Sequence, residues 1–253
     1  MFMRKVAAFF ISLLVRLRST ILEALFPIPE AEREVLSMGA DRAWKLLPRA
    51  KSFPIREACS IFAYKDERVW RLIWAVKYKK SARAAEIAGY ALWRILRVYS
   101  EATRSFNGQI IVVPMPITRK RRRERGYNQC ELIVDALEKL VAKENECAGR
   151  IIIVRDLLLR TRHKSRQTMK DRTERLESAR DIFAVNKEAA KRTFERLGKF
   201  SSAGQESPAN INKRQHLVIV IDDVVTTGST IRDAIMTLRA AGFANSWGLS
   251  VAH

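Results

Sequence analysis

The run from Leu217 to Thr230 constrains the fold more than any other part of the chain, because strand, turn and helix signals follow one another in it without interruption. Leu217 to Ile221 is continuously apolar, which is typical of a strand buried on both faces of a sheet. Asp222 and Asp223 end that stretch, and a small hydroxyl-rich turn follows after two valines. Apolar residues then recur at helical spacing from Ile231 to Ala241, which predicts a helix. The run therefore predicts a buried strand that leads through a tight turn into a helix.

The turn between this strand and helix has the composition of an anion-binding loop. The first N–H groups of a helix have no partner within the helix, so they favour an anion. Gly228 allows a tight turn and a close approach of the backbone to a phosphate. The neighbouring hydroxyl groups can donate hydrogen bonds to the same phosphate. The residues that we assign to this loop are Thr226, Thr227, Gly228, Ser229 and Thr230.

The acidic pair suggests the rest of the ligand. Two carboxylates directly beside a phosphate would repel it, so Asp222 and Asp223 are expected about one sugar length away, accepting hydrogen bonds from the vicinal hydroxyls of a ribose. They could also help to hold a hydrated Mg²⁺ ion, which prefers carboxylate and phosphate oxygens. A structural explanation is open too: a buried strand that ends in an Asx turn and a hydroxyl N-cap. That explanation suffices for the pair alone, whereas the whole run predicts a phosphosugar site.

The run from Leu217 to Thr230 resembles the phosphoribosyl-pyrophosphate (PRPP) fingerprint of type I phosphoribosyltransferases. Other segments resemble the ComF family of phosphoribosyltransferase-like proteins, and the resemblance covers roughly residues 60–186 and 215–253. The 113–116 segment reads Val-Pro-Met-Pro, and 123–129 reads Arg-Glu-Arg-Gly-Tyr-Asn-Gln. Gln167, Arg175 and Phe183 match the pattern that follows in the family, and the helix-like segment 72–78 is a less specific match.

This resemblance implies an α/β fold of the type I phosphoribosyltransferase kind, with a parallel sheet flanked by helices. It implies transfer of phosphoribosyl from PRPP to an unknown acceptor with release of pyrophosphate, and Mg²⁺ that enters with PRPP. Asp222, Asp223 and Arg125 would be the catalytic residues, while Arg125, Gly126 and Tyr127 would bind the pyrophosphate. The alternative is a non-catalytic protein that binds PRPP or a nucleotide, or that serves DNA uptake (competence).

A lid over the site is expected from a second basic stretch. Arg162, Lys164 and Arg166 are the lid candidates, on a segment that could close over bound ligand. Lys164, and also Ser178, stand where the family commonly has threonine and asparagine respectively. Solvated surface charge is an equally good explanation for each of the three lid candidates.

The cysteine pattern argues against a structural metal. Family members usually carry a cysteine-rich zinc knuckle after a Leu-Phe-Pro stretch, but Pro27 is followed here by Ile-Pro-Glu. Cys59, Cys130 and Cys147 lie far apart in the chain and form no Cys-x-x-Cys pair. We therefore predict neither a structural zinc site nor a disulfide framework, and a reduced, cytoplasmic location.

The charge balance points to anionic partners. The 253 residues include 47 Lys and Arg against 27 Asp and Glu, a formal net charge of +20. Residues 119–125 carry six positive charges and one negative, and a second basic cluster runs from Arg160 to Arg180. A PRPP site needs fewer cations, so single-stranded DNA or another nucleic acid is a candidate partner, against the alternative of a solvated basic surface. No aromatic platform for single strands is recognised in the sequence.

Signals along the chain predict one domain with additions. Residues 1–58 form a helical and irregular N-terminal region in place of the zinc module, and 59–253 form the phosphoribosyltransferase-like domain, with a flexible insertion at about 187–215. The apolar stretch Val6 to Val15 is too short to span a bilayer, which takes roughly 20 residues. It is expected to dock on its own domain or on a second subunit of a homo-oligomer, or to lie on a membrane surface. No transmembrane segment is predicted.

The remaining secondary structure follows from short apolar runs and helical periodicity. Strands are predicted at Ser60 to Tyr64, at Ile110 to Val113, within Ile151 to Leu159 and at Ser246 to Ala252. Helices are predicted at about 66–76, 82–99 and 128–143. Alternating strands and helices imply a parallel sheet whose ligands bind at the carboxyl ends of the strands.

Overall fold

The computed structural model describes residues 28–51, 53–104, 108–144, 149–161, 182–201 and 216–253. Its strands are β1 (Ala58–Phe62), β2 (Ile110–Pro114), β3 (Ile151–Ile153), β4 (Leu158–Arg160), β5 (Phe183–Val185), β6 (Leu217–Val224) and β7 (Ser246–Ala252). Its helices are α1 (Glu30–Ser37), α2 (Ala40–Leu46), α3 (Glu67–Tyr78), α4 (Ala82–Arg104), α5 (Arg119–Arg125), α6 (Gln129–Val141), α7 (Lys187–Ser201) and α8 (Ser229–Ala240).

A five-stranded sheet forms the centre of the fold. Its strand order is β1-β7-β6-β2-β3, and each neighbouring pair is parallel. Strands β4 and β5 form a separate antiparallel pair. The expectation of an α/β protein with a parallel sheet flanked by helices is thus confirmed.

The central strands bury both of their faces, each in a different hydrophobic core. Ile219 and Ile221 pack into a core shared with α3, α4 and α6. Val218 and Val220 point the other way, into a core shared with α7 and α8. Because successive side chains of a strand alternate between faces, burial on both sides requires a continuously apolar run. This is the physical reason for the apolar stretch that leads to the acidic pair.

The N-terminal helices belong to the first of these cores. Val35 and Met38, from α1 and its C-cap, are buried with Ala43 of α2 in the same cluster as α3 and α4. Buried Glu32 also accepts a hydrogen bond from Lys79 Nζ at 2.6 Å, which ties α1 to the end of α3. The described part of the N-terminal region thus contributes two helices that pack onto α3 and α4. Residues 1–27, with the stretch from Val6 to Val15, lie outside the described residues.

Several boundaries differ from the sequence prediction. The first part of the predicted insertion forms a helix, Lys187–Ser201, and residues 202–215 lie outside the described residues. Ala189, Thr193 and Leu197 are the buried face of that helix, too sparse a stripe to stand out in a polar sequence. The basic segment 119–125 forms α5 between the N-cap Thr118 and the left-handed Gly126.

The strand predictions need smaller changes. The segment from Ile151 to Leu159 divides between β3 and β4, which belong to different sheets. Strand β6 continues through both aspartates to Val224 instead of ending before them. In the part of the chain that the structure describes, no helix has the length and apolar character needed to cross a bilayer.

Candidate functional site

A cleft of about 430 Å³ lies at the carboxyl end of the central strands. Its floor comes from the residues at the end of β6, and its sides come from segments that follow β1, β2 and β6 along the chain. This is the edge of a parallel sheet at which ligands are expected to bind. The lining residues are Tyr64, Lys77, Tyr78, Met115, Pro116, Ile117, Arg121, Arg125, Gln129, Arg160 and residues 222–231.

The loop from Thr226 to Thr230 carries the start of α8 into this cleft. Gly228 has φ of 80°, a left-handed conformation that favours glycine, and the helix begins at the next residue. A Cβ at Gly228 would lie 3.2 Å from Cγ2 of Ile55, so the loop is also packed tightly from behind. The N-cap of α8, Gly228, has no side chain, and the described acceptor near the first N–H groups is Thr227 Oγ1, 3.5 Å from N of Ser229. The first N–H groups of α8 are therefore available to an anion.

The acidic pair at the end of β6 is held by different partners. Asp223 is buried, and its Oδ2 lies 3.2 Å from Nζ of Lys77 on α3. Asp222 accepts a hydrogen bond from the thiol of Cys130, with 3.6 Å between Sγ and Oδ1. Asp222 Oδ1 and Asp223 Oδ1 each also accept from the next backbone N–H, at 2.9 and 2.8 Å. These contacts fix both carboxylates against the cleft floor.

The pKa values of Asp222 and Cys130 differ from those of the same groups in solvent. Burial, and then the neighbouring charge of Asp223, raise the pKa of Asp222 to about 7. Burial, and then the charge of Asp222, raise the pKa of the Cys130 thiol well above its ordinary value. The cleft floor therefore retains a proton near neutral pH, which a bound cation or a set of hydroxyl donors could replace.

The same side chains could hold a metal ion. Sγ of Cys130 and one carboxylate oxygen each from Asp222 and Asp223 lie within 4.8 Å of one another. Carboxylate oxygens suit Mg²⁺, which also keeps water or phosphate ligands, whereas a thiol is a softer ligand that Mg²⁺ does not prefer. Of this donor set, the two carboxylates are therefore the groups that could hold a hard cation.

Arginines supply the cationic part of the lining. Arg125 Nη1 donates to Oε1 of Gln129 at 2.9 Å, and its guanidinium lies 5.2 Å from the centroid of the Tyr78 ring. Arg160 donates to the carbonyl of Pro116 at 3.4 Å. Burial, and then the nearby charge of Arg121, lower the pKa of Arg160. Like charges held together in this way favour a bound anion.

The cleft brings together most of the residues that the sequence analysis assigns to a site. Asp222, Asp223, Arg125 and the whole loop 226–230 line it. Gly126 and Tyr127, expected at the pyrophosphate, do not. Gly126 is the exposed C-cap of α5 with φ of 79°.

Tyr127 instead contacts the backbone at the end of α3. Its hydroxyl donates to the carbonyl of Val76 at 2.6 Å and accepts from the N–H of Lys80 at 3.0 Å, which completes the last turn of α3. Its predicted pyrophosphate contact therefore has no counterpart in the cleft lining. The lid candidates Arg162, Lys164 and Arg166 lie outside the described residues.

Several lining residues are not recognisable as site residues from the sequence. Arg121 lies in a run that reads as outer basic surface, and Arg160 lies in a second basic cluster. Lys77 and Tyr78 belong to a segment in which the only signal is the weak resemblance to the ComF family. Tyr64 carries no distinct signal of a role in the site, whereas Gln129 ends the 123–129 segment that resembles the ComF family. These residues lie after β1 and in α3, α5, α6 and β4. They are distant in sequence, so only the fold brings them to one cleft.

Compared with known proteins, the chain matches no family model and no curated protein.

Proposed function

We propose that this protein binds PRPP as a type I phosphoribosyltransferase-like protein and transfers the phosphoribosyl group to an acceptor, releasing pyrophosphate. One observation carries the proposal: the hydroxyl-rich loop at the start of α8, the acidic pair at the end of β6 and three arginines line the same cleft. PRPP has a group for each of these three parts: a phosphate at one end, a ribose diol in the middle and a pyrophosphate beyond it.

The 5′-phosphate would occupy the loop from Thr226 to Thr230. The first N–H groups of α8 and the exposed hydroxyls of Thr226, Thr227 and Ser229 are donors of the required kind. Thr227 Oγ1 and Ser229 Oγ lie 3.1 Å apart, so two hydroxyls can reach one phosphate. Asp222 would accept hydrogen bonds from the ribose hydroxyls at the neighbouring position.

The pyrophosphate would lie against the arginines. In the reaction an acceptor nucleophile forms a bond to the anomeric carbon, while the bond from that carbon to the pyrophosphate oxygen breaks and pyrophosphate leaves with the bonding electrons. Arg125, Arg121 and Arg160 would stabilise the negative charge that develops on this leaving group. Mg²⁺ near Asp222 would supply further neutralisation of the phosphate oxygens when it is bound.

Binding without transfer is the second candidate function. The described lining contains no histidine and offers no general base for an acceptor apart from the acidic pair itself. A PRPP or nucleotide sensor would need the loop, the diol contacts and the arginines, but no acceptor position.

Calorimetry with PRPP, with and without Mg²⁺, tests binding. Transfer is tested by incubating the protein with PRPP, Mg²⁺ and a panel of bases, amines and oligonucleotides, followed by measurement of released pyrophosphate and of product mass. The double variant Asp222→Asn, Asp223→Asn should bind PRPP more weakly while remaining folded. Binding without any pyrophosphate release would favour the sensor, and no binding by the wild type with Mg²⁺ present would refute both functions.

A further inference from the structure

Helix α7 lies between the two stretches that resemble the ComF family, so its surroundings are not part of that resemblance. Ala189 and Leu197 on its inner face pack into the core that the sheet shares with α8. The neighbouring stripe of the helix includes Ala190 and Phe194, which touch the same core but stay half-buried. This second stripe therefore keeps apolar surface at the outside of the fold.

An open groove of about 710 Å³ lies beside this stripe. Its apolar lining comes from Val185 at the end of β5, from Ala190 and Phe194 of α7, and from Ala241 just after α8. The ring of Phe194 stacks on the buried ring of Phe243, with centroids 4.5 Å apart and planes inclined by 12°. The groove thus has a firmly packed aromatic base and small side chains at its walls, which leaves room for side chains that enter from outside.

The rim of the groove carries charges. Lys187, Lys191 and Glu195 line it at four-residue intervals, so they form one row along α7. No carboxylate of the described chain pairs with either lysine, whereas Arg192 of the same helix lies 2.7 Å from a carboxylate oxygen of Asp156. A lysine in the first turn also opposes the helix dipole, so Lys187 does not stabilise its own helix. The end of the groove near the start of α7 is therefore positive and lacks a neutralising carboxylate among the described residues.

We propose that this groove binds an amphipathic α-helix of a partner protein, with the partner's apolar side chains in the groove and its acidic side chains along Lys187 and Lys191. Helices dock into apolar grooves through large side chains at positions i, i+3, i+4 and i+7. The acidic character of the partner follows from the two lysines on the rim. The formal net charge of +20 also attracts an acidic partner over a longer range, and it opposes the approach of a second copy of this chain.

The groove suits a protein helix better than a small polar ligand or a membrane. A small-ligand site normally has a few polar groups that converge on the ligand. The side chains of Val185, Ala190, Phe194 and Ala241 have no polar atoms. Insertion into lipid requires large apolar side chains that protrude. None of the exposed large apolar residues in the described chain belongs to the groove lining, so the groove must receive side chains from its partner.

Fluorescence anisotropy with a labelled synthetic peptide tests the proposal. The peptide is about 16 residues long, with leucines at helical spacing on one face and glutamates on the other. A scrambled peptide of the same composition lacks the apolar stripe. Wild type should bind the amphipathic peptide and not the scrambled one. Lys187→Glu, Lys191→Glu should weaken binding by about tenfold or more, because attraction becomes repulsion. Ala190→Glu should weaken it as much, because a charge then lies in the apolar groove.

Arg196→Glu is the matched control. It reverses the charge of an exposed residue on the same helix outside the groove lining, so the affinity should change by less than about twofold. A second peptide with lysines in place of the glutamates should reverse the order, binding the Lys187→Glu, Lys191→Glu variant more tightly than wild type. Both lysines are exposed, so this variant should melt as wild type does.

The proposal is overturned if wild type does not bind the acidic peptide, if the scrambled peptide binds as tightly, or if Arg196→Glu weakens binding as much as Lys187→Glu, Lys191→Glu. Binding of laurate that Ala190→Glu abolishes, without binding of the peptide, would also overturn it, because the groove would then take a fatty acid. PRPP calorimetry keeps the result separate from the proposed function. The groove variants should bind PRPP as wild type does, because none of these residues lines the cleft.

Discussion

Nζ of Lys77 lies 3.2 Å from Oδ2 of Asp223, and this ion pair joins the last turn of α3 to the end of the central strand β6. Both side chains are largely removed from solvent, with 19% of the lysine and 5% of the aspartate side chain exposed. An ion pair in such a place fixes geometry more than it adds stability, because the attraction must first offset the loss of hydration. Removing one partner leaves the other charge buried and uncompensated.

Lys77→Met should therefore destabilise the fold markedly. We expect the free energy of unfolding to fall by about 3 kcal/mol, the cost typical of a buried charge that loses its partner. Urea denaturation at neutral pH measures it. The double variant Lys77→Met, Asp223→Asn should lose less than Lys77→Met alone, because no charge is then stranded. If the double variant is instead as unstable as the two single variants added together, the two groups do not act as a pair.

Ionisation of Asp222 should make the free energy of unfolding fall as the pH rises. Its pKa is raised to about 7 by burial and then by Asp223, whereas in the unfolded chain it is about 4. Between those values the folded state holds more protons than the unfolded state, so this group lowers the free energy of unfolding as pH rises from about 4 to 7. Asp222→Asn should remove that loss.

Melting temperatures of wild type and Asp222→Asn, measured from pH 5 to 8 in the absence of divalent cations, check this dependence. The variant should gain stability relative to wild type as the pH rises. Parallel curves for the two proteins would show that the carboxyl of Asp222 titrates as an exposed group does.

Two glycines have the same backbone conformation, so replacing each with alanine distinguishes the effect of backbone strain from an effect on ligand binding. Gly228 and Gly126 have φ of 80° and 79°, so replacing either with alanine should cost about 1–2 kcal/mol of stability from the left-handed backbone alone. At Gly228 the new Cβ would also lie 3.2 Å from Ile55 and 3.3 Å from Pro54, while at Gly126 nothing lies within 4 Å. Of these two glycines, only Gly228 lines the cleft.

Gly228→Ala should therefore weaken PRPP binding by about tenfold or more, since the anion loop must shift to accommodate the Cβ. Gly126→Ala should leave PRPP affinity nearly unchanged. Calorimetry on both variants, with melting temperatures as the check on folding, makes the comparison. Equal loss of PRPP affinity in the two would place Gly126 at the pyrophosphate after all, as its sequence motif predicts.

The protein should carry no stoichiometric structural zinc. Of the described cysteines, Cys59 is exposed and Cys130 is buried beside the acidic pair, so the described group of candidate ligands contains a single sulfur atom. A structural zinc site normally needs four ligands, most of them cysteine or histidine. Elemental analysis of purified protein should find far less than one zinc per chain, and a chelator should leave the melting temperature unchanged. A chelator-sensitive melting temperature with about one bound zinc per chain would contradict this.

The sequence alone determined the strands and the loop of the central site. Residues 110–113 and 217–221 are recognisable as buried strands because burial on two faces demands continuous apolar residues, a local signal. The Gly228 turn is recognisable because a left-handed residue ahead of a helix selects glycine. Both signals depend only on a few neighbouring residues, so the acidic pair and loop 226–230 can be assigned to one site from the sequence.

The tertiary structure decided which other side chains reach that loop. Lys77, Arg121 and Arg160 come from connections that are distant in sequence. The local sequence of a crossover connection in a parallel sheet does not show which other residues it will contact. The same limit applies to Tyr127: its sequence motif predicts a pyrophosphate contact, but only the fold shows that its hydroxyl bonds to the backbone at the end of α3. Local periodicity fixes which faces are buried, whereas contacts between the ends of different elements depend on packing of the whole chain.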